Sequence, residues 1–178
     1  GGGQADFDPG PGVFMLTVNI NNTREIFVWK LTGAGDFAWA KQMGTISDPS
    51  GLWIENAVAI KVDQVGNIYS TGIFSGTADL DPGSSNNNFT ATGYFDMYIS
   101  KLSTDGSFIW AKQIGGISGA AVAGYSIDLD PSGNVYTTGD FIGTFGGTGS
   151  IDFDPGPGVY NLTEGGYGDA FVSKLNPD

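Results

Sequence analysis

The sequence contains no cysteine and no histidine. Without cysteine there is no disulfide, no thiolate nucleophile and no Cys-type zinc site. Without histidine the usual proton shuttle and the commonest metal ligand are missing too. Much of enzymology is excluded by these two absences. Basic residues are also scarce: seven against 19 acidic ones give a formal net charge of −12, which repels phosphate backbones and anionic membrane surfaces. Nucleic acid is therefore not expected as a partner. No apolar run approaches the roughly 20 residues of a spanning helix. The opening Gly1-Gly2-Gly3-Gln4 has neither the basic nor the apolar region of a signal peptide. Membrane insertion is not expected, and the chain reads as soluble, either mature or excised from something longer. A long apolar helical stripe is missing as well. Thirty glycines, eight prolines and 13% aromatics instead favour many short strands joined by tight turns.

What is present is a repeat. Asp6-Phe7-Asp8-Pro9-Gly10 returns as Asp79-Leu80-Asp81-Pro82-Gly83 and as Asp152-Phe153-Asp154-Pro155-Gly156, at steps of 73 residues (79 − 6 and 152 − 79). Matching text follows each copy. The chain divides into unit 1 over 1–73, unit 2 over 74–146 and an incomplete unit 3 over 147–178, each opening with an Asp-Pro-Gly connector. In unit 1 a short strand over 13–18 and a polar turn from Asn19 to Thr23 precede strands at 25–31, 37–43, 57–63 and 68–74. These four are expected to form an antiparallel meander. Unit 2 repeats the order at 97–102, 108–114, 125–130 and 135–141, with length changes confined to loops, including the one around Gly143-Thr144-Phe145-Gly146-Gly147. Unit 3 reaches only the first of these strands, at 170–175.

Three phrases carry a resemblance: Phe171-Val172-Ser173-Lys174-Leu175, Phe108-Ile109-Trp110-Ala111-Lys112-Gln113-Ile114-Gly115-Gly116 and Ser132-Gly133-Asn134-Val135-Tyr136-Thr137-Thr138-Gly139. In them the chain resembles the bacterial SBBP-type β-propeller repeats, over nearly its whole length. The resemblance implies an all-β fold of antiparallel four-stranded, propeller-like blades in tandem, here two blades plus the first strand of a third. It also implies large proteins that are extracellular or on the bacterial cell surface, generally without known enzymatic activity, and it supplies no catalytic residues. Closed propellers need about 4 to 8 blades, so this chain is not expected to close alone.

The Asp phrase is the best chemical candidate. On an extended backbone Asp6 and Asp8 point to one side, as do Asp79 with Asp81 and Asp152 with Asp154. Such pairs repel unless a cation or hydrogen-bond donors intervene, and Ca²⁺ accepts about six to eight oxygens. These six aspartates are candidate Ca²⁺ ligands. In the other reading each caps a turn through backbone N–H groups, with Pro and Gly setting the dihedrals. Asp128-Leu129-Asp130-Pro131-Ser132-Gly133-Asn134 also suggests a calcium loop. Its counterpart Lys61-Val62-Asp63-Gln64-Val65-Gly66-Asn67 places Lys where Asp128 stands, which leaves a Gly-Asn hairpin turn as the shared feature.

Lys30, Lys101 and Lys174 recur, as do Lys41 and Lys112, and are expected in ion pairs between strands or with the Asp phrase. Trp39 and Trp110, with Phe37 and Phe108, are expected to fill the layer between blades, with a sugar-stacking surface as the alternative. Asn21, Asn88 and Asn161 open acceptor sequons for N-glycosylation. No nucleophile–base set and no phosphate-binding glycine pattern is present.

The expected function is a non-enzymatic structural or adhesive module. It assembles head-to-tail with other copies of itself, or with adjacent repeats, into a filament or surface array, because residues 147–178 restate residues 1–32. The alternative is a calcium-stabilised carbohydrate- or protein-binding segment of a larger propeller.

Overall fold

Short alternating segments punctuated by glycine favour strands. The computed structural model describes residues 3–18, 24–52, 54–116, 119–144 and 149–177, and among these it contains strands and no helix. In chain order they are β1 (Gln4–Asp6), β2 (Met15–Thr17), β3 (Ile26–Leu31), β4 (Phe37–Ser47), β5 (Glu55–Val62), β6 (Ile68–Phe74), β7 (Thr77–Asp79) and β8 (Asn88–Thr90). There follow β9 (Asp96–Leu102), β10 (Phe108–Ile114), β11 (Ala121–Leu129), β12 (Val135–Ile142), β13 (Ser150–Asp152), β14 (Asn161–Thr163) and β15 (Asp169–Leu175). The expected turn from Asn19 to Thr23 lies outside the described residues, as does most of the loop at Phe145 to Gly147.

The strands join in several antiparallel sheets, two of them four-stranded, and none closes on itself. A central sheet has the order β10-β9-β6-β5. A second has the order β3-β4-β7-β8, a third β11-β12-β15, and β1-β2 and β13-β14 are separate hairpins.

This grouping departs from the expected meander. The first hairpin of unit 1, β3–β4, and its second, β5–β6, lie in different sheets. β6 pairs instead with β9 of unit 2, from Ile68↔Leu102 to Phe74↔Asp96. The physical reason lies in the Asp phrase. It folds as a hairpin, β7–β8, that leaves the end of β6 and returns the chain beside it, so β9 enters as β6's neighbour. β4 is 11 residues long, and its far end pairs with β7 at Gly44↔Asp79, so the hairpin takes the edge there. The same geometry recurs one period later, where β12 pairs with β15 and the β13–β14 hairpin intervenes.

Four tight turns close the larger hairpins, and all share one geometry. The N–H of Gly35, Gly66, Gly106 and Gly133 donates to the carbonyl of Thr32, Asp63, Ser103 and Asp130 respectively. Each glycine has a φ of 80–94°, a left-handed conformation that costs a residue with Cβ about 1 kcal/mol or more.

The two faces of the central sheet hold the two halves of the core. Ile68, Phe74, Tyr98 and Leu102 pack against Ile26, Val28 and Met43 of the preceding sheet. Tyr69, Met97, Ile99 and Ile114 pack against Val122, Ile127, Val135 and Phe141 of the following one. Each fully buried side chain of this size contributes roughly 1.5–3 kcal/mol.

Candidate functional site

The Asp phrase builds the same hydrogen-bonded hairpin three times. In the first, the N–H groups of Asp8 and Phe14 both donate to Asp6 Oδ1, at 3.0 and 2.9 Å, and Gly10 N–H donates to Asp8 Oδ1 at 2.7 Å. In the second, Asp81 and Asn87 donate to Asp79 Oδ1 at 3.0 and 2.9 Å, and Gly83 to Asp81 Oδ1 at 2.7 Å. In the third, Asp154 and Tyr160 donate to Asp152 Oδ1 at 3.0 and 2.8 Å, and Gly156 to Asp154 Oδ1 at 2.7 Å. The first Asp thus pins both arms of the hairpin, and the second makes a local Asx turn.

These donors favour the charged carboxylate. The amides of Phe14 and Asp8 hold Asp6 below its ordinary range, and those of Tyr160 and Asp154 do the same for Asp152. The three Asp pairs sit in three different hairpins, so the six candidate ligands do not converge. Among the described residues, no group of three or more His, Cys, Asp or Glu lies where it could hold a metal ion.

Each hairpin also carries an apolar cage. Ala78, Leu80 and Phe89 of β7–β8 gather with Tyr98 around Phe74, the last residue of β6. Ile151, Phe153 and Leu162 of β13–β14 gather with Phe171 around Phe141 of β12. The Phe141–Phe153 and Phe153–Phe171 ring centroids are 5.3 and 4.7 Å apart. In the first hairpin Ala5, Phe7, Leu16 and Phe27 occupy the equivalent places. They line an open cleft of about 290 Å³, with Phe7 and Phe27 at 4.9 Å.

A glycine faces one aromatic wall of each cage across the ladder: Gly72 opposes Tyr98 and Gly139 opposes Phe171. A Cβ on Gly72 would lie 1.8 Å from the Asn56 carbonyl oxygen, and one on Gly139 1.7 Å from that of Ala123. Only glycine fits at either place.

Lys30, Lys101 and Lys174 have partners other than the expected carboxylates. Lys101 stands over the Tyr69 ring at 5.0 Å and Lys174 over Tyr136 at 5.6 Å. Both are cross-strand cation–π pairs in the same register. Lys30 turns instead to the Thr104 carbonyl at 2.8 Å and to the Trp39 ring at 6.0 Å. Among the described residues an ion pair joins the two residues that differ between the suspected calcium loops, Lys61 and Asp128, at 2.7 Å. Lys61 holds Asp128 below the usual carboxylate range. The turn that Asp128 precedes is closed by Asp130, which accepts the N–H groups of Ser132 and Asn134 and the Asn134 amide.

Trp39 packs, partly buried, against one half of the core and Trp110 against the other. Asn88 and Asn161 open β8 and β14 and are exposed. Asn21 lies outside the described residues. Tyr69, Phe74, Tyr136 and Phe141, together with Gly72 and Gly139, are not among the residues that the sequence singles out as a site. Their shared spacing, Tyr-x-x-Gly-x-Phe, was the available signal.

Two sheet borders complete the picture. Among the described residues β3 hydrogen-bonds to β4 alone and β15 to β12 alone. Phe27 is 51% exposed where its counterpart Tyr98 is 0%. Val172 is 73% exposed where Ile99 is 0%.

No curated protein and no solved structure matches the chain. Residues 109–140, running from β10 through most of β12, match the model of the SBBP family, the β-propeller repeat, so this segment of the chain is similar to a β-propeller repeat.

Proposed function

We propose that this module is a non-enzymatic structural or adhesive element, displayed outside the cell or on a bacterial surface. It joins neighbouring copies or repeats head-to-tail into a filament or array. The observation that carries this reading is that β3 and β15 are edge strands whereas their repeat equivalent, β9, is an interior one. They bear apolar side chains at positions that a neighbouring sheet covers in the middle of the molecule. Unpaired strand edges with apolar faces are templates for strand addition. Because the two borders differ from one another, the contact is heterologous and propagates.

Sedimentation velocity over a wide concentration range, followed by electron microscopy, tests this. Association into fibres or arrays is the expected result. A chain that stays monomeric and cooperatively folded throughout would overturn it.

A further inference from the structure

The cleft beside β3 is the same cage that holds Phe74 and Phe141 elsewhere, and its chemistry specifies what enters it. The geometry points to a strand-binding site on β1–β2 and β3 whose ligand is the Tyr-x-x-Gly-x-Phe strand of a second copy of this chain, β12 laid antiparallel along β3. This rests on the assembly reading above and deepens it by naming the segment that is exchanged.

Register and contacts follow from β12 on β15, where Tyr136, Gly139 and Phe141 oppose Lys174, Phe171 and Asp169. On β3 the equivalent positions are Lys30, Phe27 and Glu25. The incoming Phe141 ring enters the cage of Ala5, Phe7, Leu16 and Phe27, which opens as a cleft of about 290 Å³. Gly139 passes beneath the Phe27 ring, as Gly72 passes Tyr98. Tyr136 presents its face to Lys30, repeating the Lys101–Tyr69 and Lys174–Tyr136 pairs. One position differs. Trp29 stands where Ser100 and Ser173 make hydroxyl pairs with Ser70 and Thr137 at 2.8 and 2.6 Å. The incoming Thr137 therefore meets the exposed Trp29 indole, which becomes the optical reporter.

A second copy is the source because β3 and β15 are sequence equivalents, each preceded by the same Asp-Pro-Gly hairpin. When β3–β4 of one copy replaces β15 of another, the three-stranded sheet β11-β12-β15 becomes four-stranded, in the order of the central sheet. It also covers Phe27 and Phe7. Such an exchange replaces the ladder it breaks with one in the same register, filling the cage at Phe7 and Phe27 and vacating the one at Phe153 and Phe171.

The test titrates the full chain with a synthetic peptide of residues 133–143 while Trp29 fluorescence is read, with a Trp29→Phe chain to assign the signal. Saturable binding with a blue shift is expected. It should weaken on the order of tenfold or more for peptides carrying Phe141→Ala or Gly139→Val. Absence of saturable binding, or binding indifferent to both changes, overturns the site.

The source is tested in a chain that has no native cysteine. Copies carrying Lys30→Cys are mixed with copies carrying Tyr136→Cys and oxidised, and a mixed disulfide dimer is expected. Peptide capture without that dimer overturns the second copy as donor. Copies that associate while still binding the peptide in full overturn the exchange and leave the assembly reading standing.

Discussion

β3 and β9 are near-copies in sequence, Ile26-Phe27-Val28-Trp29-Lys30-Leu31 against Met97-Tyr98-Ile99-Ser100-Lys101-Leu102, yet they live in different surroundings. β9 lies inside its sheet between β6 and β10, with Tyr98 at 0% exposure, whereas β3 has β4 as its neighbour and Phe27 at 51%. The difference is supplied by the next strand in the ladder together with the preceding sheet, whose Ile26, Val28 and Met43 pack in one cluster with Tyr98. β6 brings Gly72 under the Tyr98 ring and Phe74 into the hairpin cage, and Tyr69 under Lys101. Burial of Tyr98 pushes its hydroxyl above the ordinary phenol range, an effect that Ser70 moderates and the Glu55 charge reinforces. A residue pattern thus acquires its energetic weight from its partner strand, and the same letters at a border remain solvent-facing.

Breaking the glycine under Tyr98 is expected to do the most damage. Gly72→Val drives a side chain into the Asn56 carbonyl, and loss of cooperative melting is the expected outcome. Gly33→Val, where nothing lies within 4 Å of the added Cβ, should melt close to the parent.

Removing the rings themselves comes next. Tyr98→Ala should cost about 3–5 kcal/mol in denaturant unfolding and Phe27→Ala under about 1 kcal/mol. Equal costs would erase the contrast between the two strands.

Acid should then loosen the hairpins that carry the cages. Asp6 and Asp152 have folded-state pKa values below the unfolded value of 3.8. Their contribution is therefore present above that pH and lost as pH falls through the folded values. Below pH 3.8, amide exchange at Phe14 and Tyr160 should accelerate relative to that of Thr71 in β6. The acceleration at Tyr160 should be absent in Asp152→Asn, whose side-chain oxygen still accepts.

The smallest effect belongs to the bridge between adjacent turns. A double-mutant cycle on Lys61 and Asp128 should give the weakest coupling of all, reduced further by salt, since both side chains are solvent-exposed. A coupling that persists in high salt would mean that this pair locks the two sheets together.

The positions of the long strands were legible because period-two alternation and the turn glycines Gly35, Gly66, Gly106 and Gly133 depend on local backbone geometry. Which strands share a sheet was not. Nothing in the alternation of β6 says whether its second neighbour is β4 or β9. That choice turned on the Asp phrase folding into a hairpin that returns the chain to β6. The arms β1, β7 and β13 were hidden for a related reason. They are three residues long, and they hold their shape through Asp6, Asp79 and Asp152 rather than through an apolar pattern. At the lysines, charge suggested carboxylate partners. The structure uses the facing tyrosine rings at Tyr69 and Tyr136, which lie directly across the ladder from Lys101 and Lys174.

The offset between the textual period and the hydrogen-bonded sheets has an evolutionary consequence. The central sheet is stitched from the closing hairpin of unit 1, β5–β6, and the opening hairpin of unit 2, β9–β10. A recombination event that inserts or removes one whole period therefore rejoins compatible half-sheets wherever the crossover falls. Such a gene can lengthen or shorten by unequal exchange without ever passing through a product whose strands lack their proper mates.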